Sequence, residues 1–476
     1  MHGMAAASPP ERTYDVVVLG AGPVGENAAG RARRGGLSCV VVEPRLVGGE
    51  CSFWACIPSK ALLRPVNLAA ATGRVRGVRP SGLDVAEVLA RRNYWTSDWD
   101  DSGAKTWLDS EGIDLVRGHG RLTGERRVEV EVPGGDPVVL VARQAVVVAT
   151  GTSAAVPPIE GLREARPWTN IEATSAERIP DRLVVLGGGV VACEMAQAYS
   201  GLGSHVTLVE RADRLLGRTE DFAGELVADG LRAAGVDVRL GTTVTKVARA
   251  DSGEVTVTTS EGTLTGDEVL AALGRRPTTD DIGLDRVGAT PGGYLDVDES
   301  MLVTSVDGRW LYAVGDVNGR NLLTHMGKYQ GRVCGDVIVA RAHGEPDDRP
   351  SMRATSDALG APQVVFTDPE VCAVGLTEQA ARSAGLDVRV VDVPMSSVSG
   401  SGLQADDYQG QARLVVDERR RVVVGATFVG QDTSELVHSA TVAVVGEVPL
   451  DRLWHAVPSF PTISEVWLRL LEAYGL

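Results

Sequence analysis

The sequence predicts an α/β protein with two Rossmann-like dinucleotide-binding domains, followed by a C-terminal α+β domain. A Gly-rich turn between a short apolar strand and a helix occurs twice, and from about Ala361 strands and helices alternate without such a turn. The length of 476 residues agrees with this, since one hydrophobic core rarely serves so long a chain. We therefore expect about three domains.

The composition is that of a globular protein, with 43% hydrophobic and 23% charged residues. The formal net charge of -16 argues against nucleic acid as a partner, because phosphates attract basic surfaces, and against a peripheral membrane protein. No apolar run is long enough to span a bilayer. The start, Met1 to Arg12, lacks the apolar stretch of a secretory signal, so we expect a short flexible tail on a cytoplasmic protein.

The first Gly-rich turn contains Gly20, Gly22 and Gly25. These glycines permit a tight turn and let the backbone approach a pyrophosphate at the helix N-terminus. The next apolar strand ends at Glu43, where a carboxylate would accept hydrogen bonds from a ribose. The alternative is a tight turn in a purely structural βαβ unit.

The second Gly-rich turn again follows an apolar strand, and its small residues are Gly187, Gly189 and Ala192. Its βαβ unit ends at Glu210, which favours NADH because a carboxylate pairs with the ribose hydroxyls and repels a 2′-phosphate. Arg211 and Arg214 could instead clamp that phosphate, or lie solvated on the surface.

Two of the six cysteines, Cys51 and Cys56, form a pair just before a helix start marked by Pro58. A disulfide between them would stabilise so large a protein by only roughly 2 kcal/mol, so the pair points to redox work. A zinc site would need two further ligands nearby, which the sequence lacks. The other cysteines stand singly among apolar residues and are predicted to be inert core thiols: Cys39, Cys193, Cys334 and Cys372.

Lys60 lies one turn into the helix that follows the cysteine pair, in a chain where arginine greatly outnumbers lysine. Its function would be to supply positive charge to a reduced cofactor ring, paired with Glu194. The alternative is an ordinary surface charge.

Taken together, these motifs resemble those of the pyridine nucleotide–disulfide oxidoreductases of class I, which include lipoamide dehydrogenase, glutathione reductase and mercuric reductase. The resemblance covers nearly the whole chain. Besides the two Gly-rich turns and the segment from Cys51 to Lys60, it rests on Ala149-Thr150-Gly151, Gly274-Arg275-Arg276-Pro277, Tyr312-Ala313-Val314-Gly315-Asp316 and Phe366-Thr367-Asp368-Pro369-Glu370.

The resemblance implies a domain order and a homodimer. An FAD-binding domain would occupy residues 1–160, an NAD(P)-binding domain 161–274, a second FAD-binding part 275–350 and a dimerisation domain 351–476. The residues implied in binding FAD and NAD(P)H are Gly20, Gly22, Gly25, Glu43, Gly49, Thr150, Gly151, Gly187, Gly189, Glu210, Arg211, Gly274, Arg275, Gly315 and Asp316.

The resemblance also implies an electron path from NAD(P)H to FAD, then to the Cys51–Cys56 disulfide and outward to a substrate. Cys56 would lie against the flavin, and Cys51 would be the outer thiol that meets the substrate. Lys60 and Glu194 would pair beside the flavin ring.

The C-terminal motif departs from the family pattern of His-Pro-Thr with a glutamate five residues after the histidine. Here Phe460 replaces the histidine, while Glu465 is retained. That histidine moves protons to and from the outer thiol, and losing such a group typically costs about 10²–10⁴-fold in rate. His455 could substitute for it, or be an ordinary histidine on a helix or turn.

Aromatic residues also mark this chain. Phe53 and Trp54 stand between the two cysteines, where the family has small and polar residues. Trp95, Trp99 and Trp107 have the spacing of one helical face. That face would either pack on the core or line an apolar channel for a quinone.

Three functions are consistent with these residues. The first is reduction of a disulfide or turnover of a dihydrolipoamide-type substrate. The second is reduction of a non-disulfide acceptor, either a quinone or a thiophilic metal such as mercuric ion. The third is a flavoprotein kept for binding or assembly, with vestigial catalysis. The retained cysteine pair, Lys60 and Glu194 argue against the third function, and the first is the function we expect.

Overall fold

The computed structural model describes residues 10–79 and 82–476. Its helices, numbered along the described chain, are α1 Pro23–Arg34, α2 Gly49–Phe53, α3 Cys56–Thr72, α4 Val85–Trp95, α5 Ser102–Glu111, α6 Asn170–Ser175, α7 Val190–Gly201, α8 Asp221–Ala233, α9 Thr324–His343, α10 Ser356–Leu359, α11 Glu378–Ser383, α12 Ser399–Gln404, α13 Leu436–Val445, α14 Leu450–Leu453 and α15 Val466–Tyr474.

The strands, numbered in the same way, are β1 Glu11–Leu19, β2 Cys39–Glu43, β3 Ile113–Arg117, β4 His119–Gly124, β5 Arg127–Glu131, β6 Val138–Val148, β7 Thr152–Ala154, β8 Arg182–Leu186, β9 His205–Val209, β10 Asp237–Arg239, β11 Val244–Arg249, β12 Val255–Thr259, β13 Gly262–Gly266, β14 Glu268–Ala271, β15 Arg275–Pro277, β16 Leu311–Ala313, β17 Gln363–Val365, β18 Glu370–Gly375, β19 Val388–Pro394, β20 Gln411–Asp417 and β21 Val422–Gly430.

The described chain divides into two compact units, and each is assembled from segments far apart in sequence. The first unit contains residues 10–56, 96–153 and 275–357. The second contains residues 57–79, 82–95, 154–274 and 358–476. The four-part domain division expected from the sequence follows cofactor chemistry rather than compactness, and it stays a prediction.

The first unit is built on a seven-stranded sheet. Strands β3, β2, β1 and β6 run parallel in that order, with β16 paired to the end of β6, while β5 and β4 continue the sheet antiparallel. The central strands are buried along most of their length, which explains why they read as continuous apolar runs.

Helices α1 and α9 pack closely on each other beside this sheet. Gly331 of α9 faces Val24 and Ala28 of α1, and a Cβ at this glycine would lie 2.7 Å from the carbonyl oxygen of Val24. Gly327 and Gly335, one turn to either side, face α1 in the same way. This row of glycines lets the two helix backbones approach each other.

The second unit contains a four-stranded parallel sheet in the order β10-β9-β8-β14, with α7 and α8 following its strands. A three-stranded antiparallel sheet, β11 to β13, lies between β10 and β14 in the chain. The C-terminal part is a five-stranded antiparallel sheet, β17-β18-β21-β20-β19, whose core includes residues of α13 and α15. These sheets confirm the predicted fold class.

Of the predicted N-terminal tail, residues 1–9 lie outside the described residues, and β1 already begins at Glu11. Within the part of the chain that the structure describes, no helix is both long enough and apolar enough to cross a membrane.

Candidate active site

The first Gly-rich turn links β1 to α1 and has no room for a side chain at Gly20 or Gly25. The backbone of Gly20 has a φ of +104°, and a Cβ there would lie 2.4 Å from the carbonyl oxygen of Ala149. A Cβ on Gly25 would lie 2.0 Å from the carbonyl oxygen of Gly20. Gly22 precedes α1 without a side-chain cap, so the first N–H groups of the helix stay available for a bound anion.

Glu43 shapes this turn from the end of β2. It is buried, and its two carboxylate oxygens accept hydrogen bonds from the backbone N–H groups of Ala21 at 2.9 Å and Arg45 at 2.8 Å. Burial raises the pKa of this carboxyl. Gly49 closes over the turn, since a Cβ there would lie 2.8 Å from the Cα of Gly22. The turn therefore forms a cradle that fits the pyrophosphate of a dinucleotide such as FAD.

Cys51 lies in α2, and Cys56 is the first residue of α3. The two side chains are joined by a hydrogen bond rather than a covalent bond. That hydrogen bond and burial raise the pKa of Cys51. The hydroxyl of Thr324, at the start of α9, lies 3.3 Å from the sulfur of Cys56 and also hydrogen-bonds Cys51.

Sequence reasoning missed Thr324. The signal that could have found it is a hydroxyl residue at a helix start, eight positions after Asp316 of a family motif. By contrast, the four single cysteines are buried as predicted, and burial raises the pKa of each: Cys39, Cys193, Cys334 and Cys372.

A chain of polar contacts connects the residue before Cys51 to Asp316. Nη2 of Arg275 lies 2.6 Å from the carboxylate of Glu50. Nε of Arg275 donates to the hydroxyl of Thr152 at 2.6 Å, and that hydroxyl donates to Asp316 at 2.8 Å. Burial raises the pKa of Asp316, although Thr152 and Arg275 act against the rise. Glu50 and Thr152 were not among the predicted site residues.

The remaining predicted residues of the first unit hold neighbouring backbone in place. The hydroxyl of Thr150 donates to the carbonyl oxygen of Thr278 at 2.8 Å, and the N–H of Thr278 donates to the carbonyl oxygen of Gly151 at 3.0 Å. Gly315 has a φ of +78°, and its N–H donates to the side chain of Gln330 at 2.8 Å.

The second Gly-rich turn repeats this geometry between β8 and α7. Gly187 has a φ of +111°, and a Cβ there would lie 2.4 Å from the carbonyl oxygen of Ala272. Gly189 precedes α7 without a side-chain cap. Glu210, directly after β9, accepts a hydrogen bond from the N–H of Ala212 at 2.7 Å. Gly274, the last residue of the 154–274 segment of the second unit, has a φ of +122°.

The two arginines that follow Glu210 have different surroundings. Arg214 pairs with Asp221 and donates to the carbonyl oxygen of Gly217 at 3.1 Å. Arg211 is exposed. Of these two arginines, Arg211 has no carboxylate partner among the described residues, whereas Arg214 would have to leave Asp221 to contact a 2′-phosphate.

Lys60 and Glu194 form an ion pair within the second unit. Nζ of Lys60 lies 2.6 Å from the carboxylate of Glu194, which is 3% exposed. The other oxygen of Glu194 accepts a hydrogen bond from the N–H of Phe366 at 3.0 Å, and the ammonium lies 4.9 Å from the centre of the Phe366 ring. Glu194 is thus held on two sides, and it fixes the lysine in turn.

The C-terminal motif also lies in the second unit. Phe460 is 74% exposed, and His455 is exposed just after α14. Glu465 is buried at the start of α15, and its Oε2 has no hydrogen-bond partner among the described residues. One oxygen of the retained glutamate is therefore a buried acceptor without a partner in the part of the chain that the structure describes.

The predicted face of three tryptophans is not formed. Helix α4 ends at Trp95, and Ser97, Asp98 and Trp99 have φ values between +49° and +59°, which break the helical repeat. Trp107 lies on α5 and packs against the core of the first unit. Trp99 contacts the segment between Cys51 and Cys56, where its indole N–H donates to the carbonyl oxygen of Phe53 at 3.1 Å.

Comparison with known proteins places this geometry in context. Residues 14–344 match the family model of the pyridine nucleotide-disulphide oxidoreductases, and residues 361–470 match the dimerisation domain of that family. The chain is 31% identical to a dihydrolipoyl dehydrogenase of Haloferax volcanii over 468 residues, which cover 96% of this chain and 95% of that protein. It is 28% identical to a mercuric reductase of Staphylococcus aureus over 459 residues, covering 95% and 81% of the two chains.

Among solved structures, the chain is similar to LpdA (Rv3303c) from Mycobacterium tuberculosis. The two share 25% identity with a TM-score of 0.84, over 98% of this chain and all of that one.

Proposed function

Because the chain belongs to the pyridine nucleotide–disulphide oxidoreductases, enzymes that use FAD and NAD(P)H, we propose that it passes electrons from NADH through FAD to Cys51 and Cys56. From there they would go to a disulfide or dihydrolipoamide-type substrate. The hydrogen-bonded cysteine pair carries this proposal, because two thiols in contact beside a dinucleotide cradle are suited to two-electron exchange.

FAD, when bound, accepts a hydride and passes on two electrons. Two electrons and one proton convert the Cys51–Cys56 disulfide into a thiol and a thiolate. The raised pKa of Cys51 keeps the proton on the outer sulfur, and the Thr324 hydroxyl is placed to donate to the sulfur of Cys56. Cys51 would then attack the substrate disulfide after losing its proton.

The Lys60–Glu194 pair would act on the transfer of hydride from NADH to FAD. Glu194 is buried and held by the backbone of Phe366, so it orients Lys60 rather than moving with it. A fixed ammonium favours negative charge that develops nearby during hydride transfer. Glu210 and the paired state of Arg214 support NADH over NADPH.

The match of residues 361–470 to the dimerisation domain supports a homodimer. Exposed apolar side chains of the C-terminal part agree with an interface of this kind: Val442, Val445, Trp454, Val457 and Phe460.

A quinone is the second candidate acceptor, and the replacement of the motif histidine by Phe460 favours it. Reduction of a quinone needs electrons but no imidazole to move a proton at a thiol. The segment between the cysteines is also aromatic: the rings of buried Phe53 and half-buried Trp54 are 5.7 Å apart, and the guanidinium of Arg45 lies 3.9 Å from the ring centre of Trp54.

Anaerobic titration of the purified protein with NADH, followed by absorbance, tests the proposal. Two-electron reduction should give a long-wavelength band from a thiolate beside the flavin. Cys51→Ser should abolish reduction of lipoamide and leave reduction of menadione unchanged. If lipoamide reduction survives in Cys51→Ser, the cysteine pair is not the route of electrons.

Phe460→His separates the two candidate acceptors, with Phe460→Ala as its control. Suppose that the natural reaction is thiol–disulfide exchange and that the absence of the motif histidine limits its rate. The histidine variant should then reduce lipoamide at least about tenfold faster than wild type. The alanine variant should not. Equal effects of both variants on lipoamide, or a loss of menadione reduction in both, would instead point to a quinone bound at Phe460.

A further inference from the structure

An open cavity of about 420 Å³ lies in the first unit, beside β6, β16 and the end of α9. None of the residues discussed so far as binding FAD or NAD(P)H lines it. Its polar lining consists of Arg126, Gln144, Arg309, Tyr312, Arg341, Glu345 and Asp347.

Hydrogen-bond donors exceed acceptors in this cavity. Asp347 accepts from both Arg309 and Arg341, so one carboxylate serves two guanidinium groups. Glu345, the other acid of the lining, pairs with Arg349. Among the described residues, the ion-pair partner of Arg126 is the exposed Glu125, at 3.4 Å, and its buried Nε has no hydrogen-bond partner.

Two of these arginines have a backbone conformation that favours glycine. Arg126 has a φ of +55° in the turn between β4 and β5, and Arg309 has a φ of +54° after Gly308. The two turns touch, since a Cβ on Gly308 would lie 3.7 Å from the side chain of Glu125. A strained backbone that keeps two arginines at one cavity indicates that their side chains have a use there.

Tyr312 adds a neutral donor to the same wall. Its hydroxyl accepts a hydrogen bond from Arg341. Burial raises the pKa of this phenol to about 12, so it keeps its own proton, which can be donated to an acceptor in the cavity. With the side-chain amide of Gln144, the wall presents hydrogen-bond donors of three chemical kinds.

We propose that this cavity is a second ligand site, which binds a phosphorylated small molecule through Arg126, Arg309 and Arg341. Planar guanidinium groups bind phosphate oxygens in pairs. The volume exceeds that of one phosphate and leaves room for an organic group. The arginines do not merely cap α9, because Arg126 and Arg309 come from turns outside that helix.

Calorimetric titration of the holoenzyme with inorganic pyrophosphate, at low ionic strength and with saturating NAD⁺, tests the site. NAD⁺ keeps pyrophosphate away from the second Gly-rich turn. We expect saturable binding that Arg126→Gly and Arg126→Gln weaken at least about tenfold. Arg126→Gly should also keep or raise the melting temperature, because glycine relieves the left-handed backbone.

Arg127→Gln is the matched control. It removes the same charge one position along, from an exposed arginine paired with Glu11, and it should leave pyrophosphate binding unchanged. The proposal is overturned if wild type shows no saturable binding, or if Arg127→Gln weakens binding as much as Arg126→Gln does. A marked loss of melting temperature in Arg126→Gly would assign the arginine a structural role instead.

Discussion

The two Gly-rich turns have the same backbone plan but different side chains at corresponding positions. The third small residue is Gly25 in the first turn and Ala192 in the second, and the next residue is Glu26 in the first and Cys193 in the second. A Cβ fits at Ala192, which is buried, while one at Gly25 would collide with the turn itself. The first turn is therefore the tighter of the two.

The acid that follows the first turn, Glu43, is also held more tightly by the protein's own backbone than the acid that follows the second turn, Glu210. Glu43 is 7% exposed, with both oxygens bound by backbone N–H groups, whereas Glu210 is half-buried and is bound by Ala212 alone among the described residues. One turn is preformed and closed by its own chain, and the other keeps an acceptor for a ligand. This difference suits a cofactor that stays bound and a cosubstrate that exchanges.

The largest expected effect comes from adding one methyl group to the tighter turn. Gly25→Ala should abolish FAD retention, because its Cβ would lie 2.0 Å from the carbonyl oxygen of Gly20. Ala192→Gly, the reciprocal change, should leave flavin content unchanged and raise the KM for NADH less than about threefold. The ratio of flavin to protein absorbance after purification measures the first effect. Full flavin content in Gly25→Ala would contradict the difference in tightness.

The position two residues after Gly25 and Ala192 gives the second prediction. Glu194 of α7 corresponds to Asn27 of α1, whose side chain donates to the carbonyl oxygen of Pro23 in its own helix, at 2.8 Å. Glu194→Gln keeps an acceptor for Phe366 but removes the charge that holds Lys60, and should slow reduction of the flavin by NADH about 10–100-fold. Asn27→Ala should change that rate less than about twofold. Stopped-flow absorbance measures both, and equal rates in both variants would remove Lys60 from the reaction.

A smaller effect is expected at Glu210, the hydrogen-bond acceptor that remains available to a ligand of the second turn. Glu210→Gln should raise the KM for NADH about tenfold with kcat nearly unchanged, and should improve the use of NADPH. Arg211→Gln should act in the opposite sense and weaken any use of NADPH. Steady-state kinetics with both nucleotides measure these values, and an unchanged NADH-to-NADPH ratio in Glu210→Gln would contradict the assignment.

The smallest effect concerns pH and stability at Glu26, whose counterpart in the second turn is the apolar Cys193. Burial raises the pKa of Glu26 from 4.5 to about 7, although Lys328 opposes the rise. A raised carboxyl pKa contributes stability below pH 4.5, which is lost between pH 4.5 and about 7. Glu26→Gln should therefore stabilise the protein by about 3.4 kcal/mol at most at pH 8, which raises the melting temperature by a few degrees, and should change it little at pH 4.5.

An exposed glutamate provides the control for this pH dependence. Glu129 lies exposed on β5, and Glu129→Gln should shift the melting temperature equally at both pH values. If Glu26→Gln behaves like Glu129→Gln, the buried carboxyl does not titrate as expected.

The fold class and the two turns could be predicted because each rests on a local pattern. A strand, a glycine turn, a helix and an acid lie within about 25 residues, and tight sterics leave few other residues for those positions. The cysteine pair could be found in the same way. Contacts between distant segments could not, because Thr324 and Arg275 carry no local mark of the cysteine segment that they touch.

The tryptophan face shows how a local pattern can also mislead. Spacings of four and eight residues predict one helical face only if the helix is continuous. Three left-handed residues, Ser97 to Trp99, end that continuity, and none of them is a glycine that would have signalled the break. The two arginines of the cavity were missed for a related reason, since a left-handed arginine looks ordinary in a sequence.

The contact between Glu50 and Arg275 also constrains how the protein is made. The two residues are 225 positions apart, so this contact cannot form until Arg275 has left the ribosome. At about 5–20 residues per second, synthesis of that stretch takes roughly 10–45 seconds. For this time the Cys51 and Cys56 thiols belong to an unfinished domain that is open to oxidants. The two thiols are thus most exposed to oxidation during synthesis, before their domain has folded. The yield of active enzyme should therefore depend on the thiol balance of the cell that makes it.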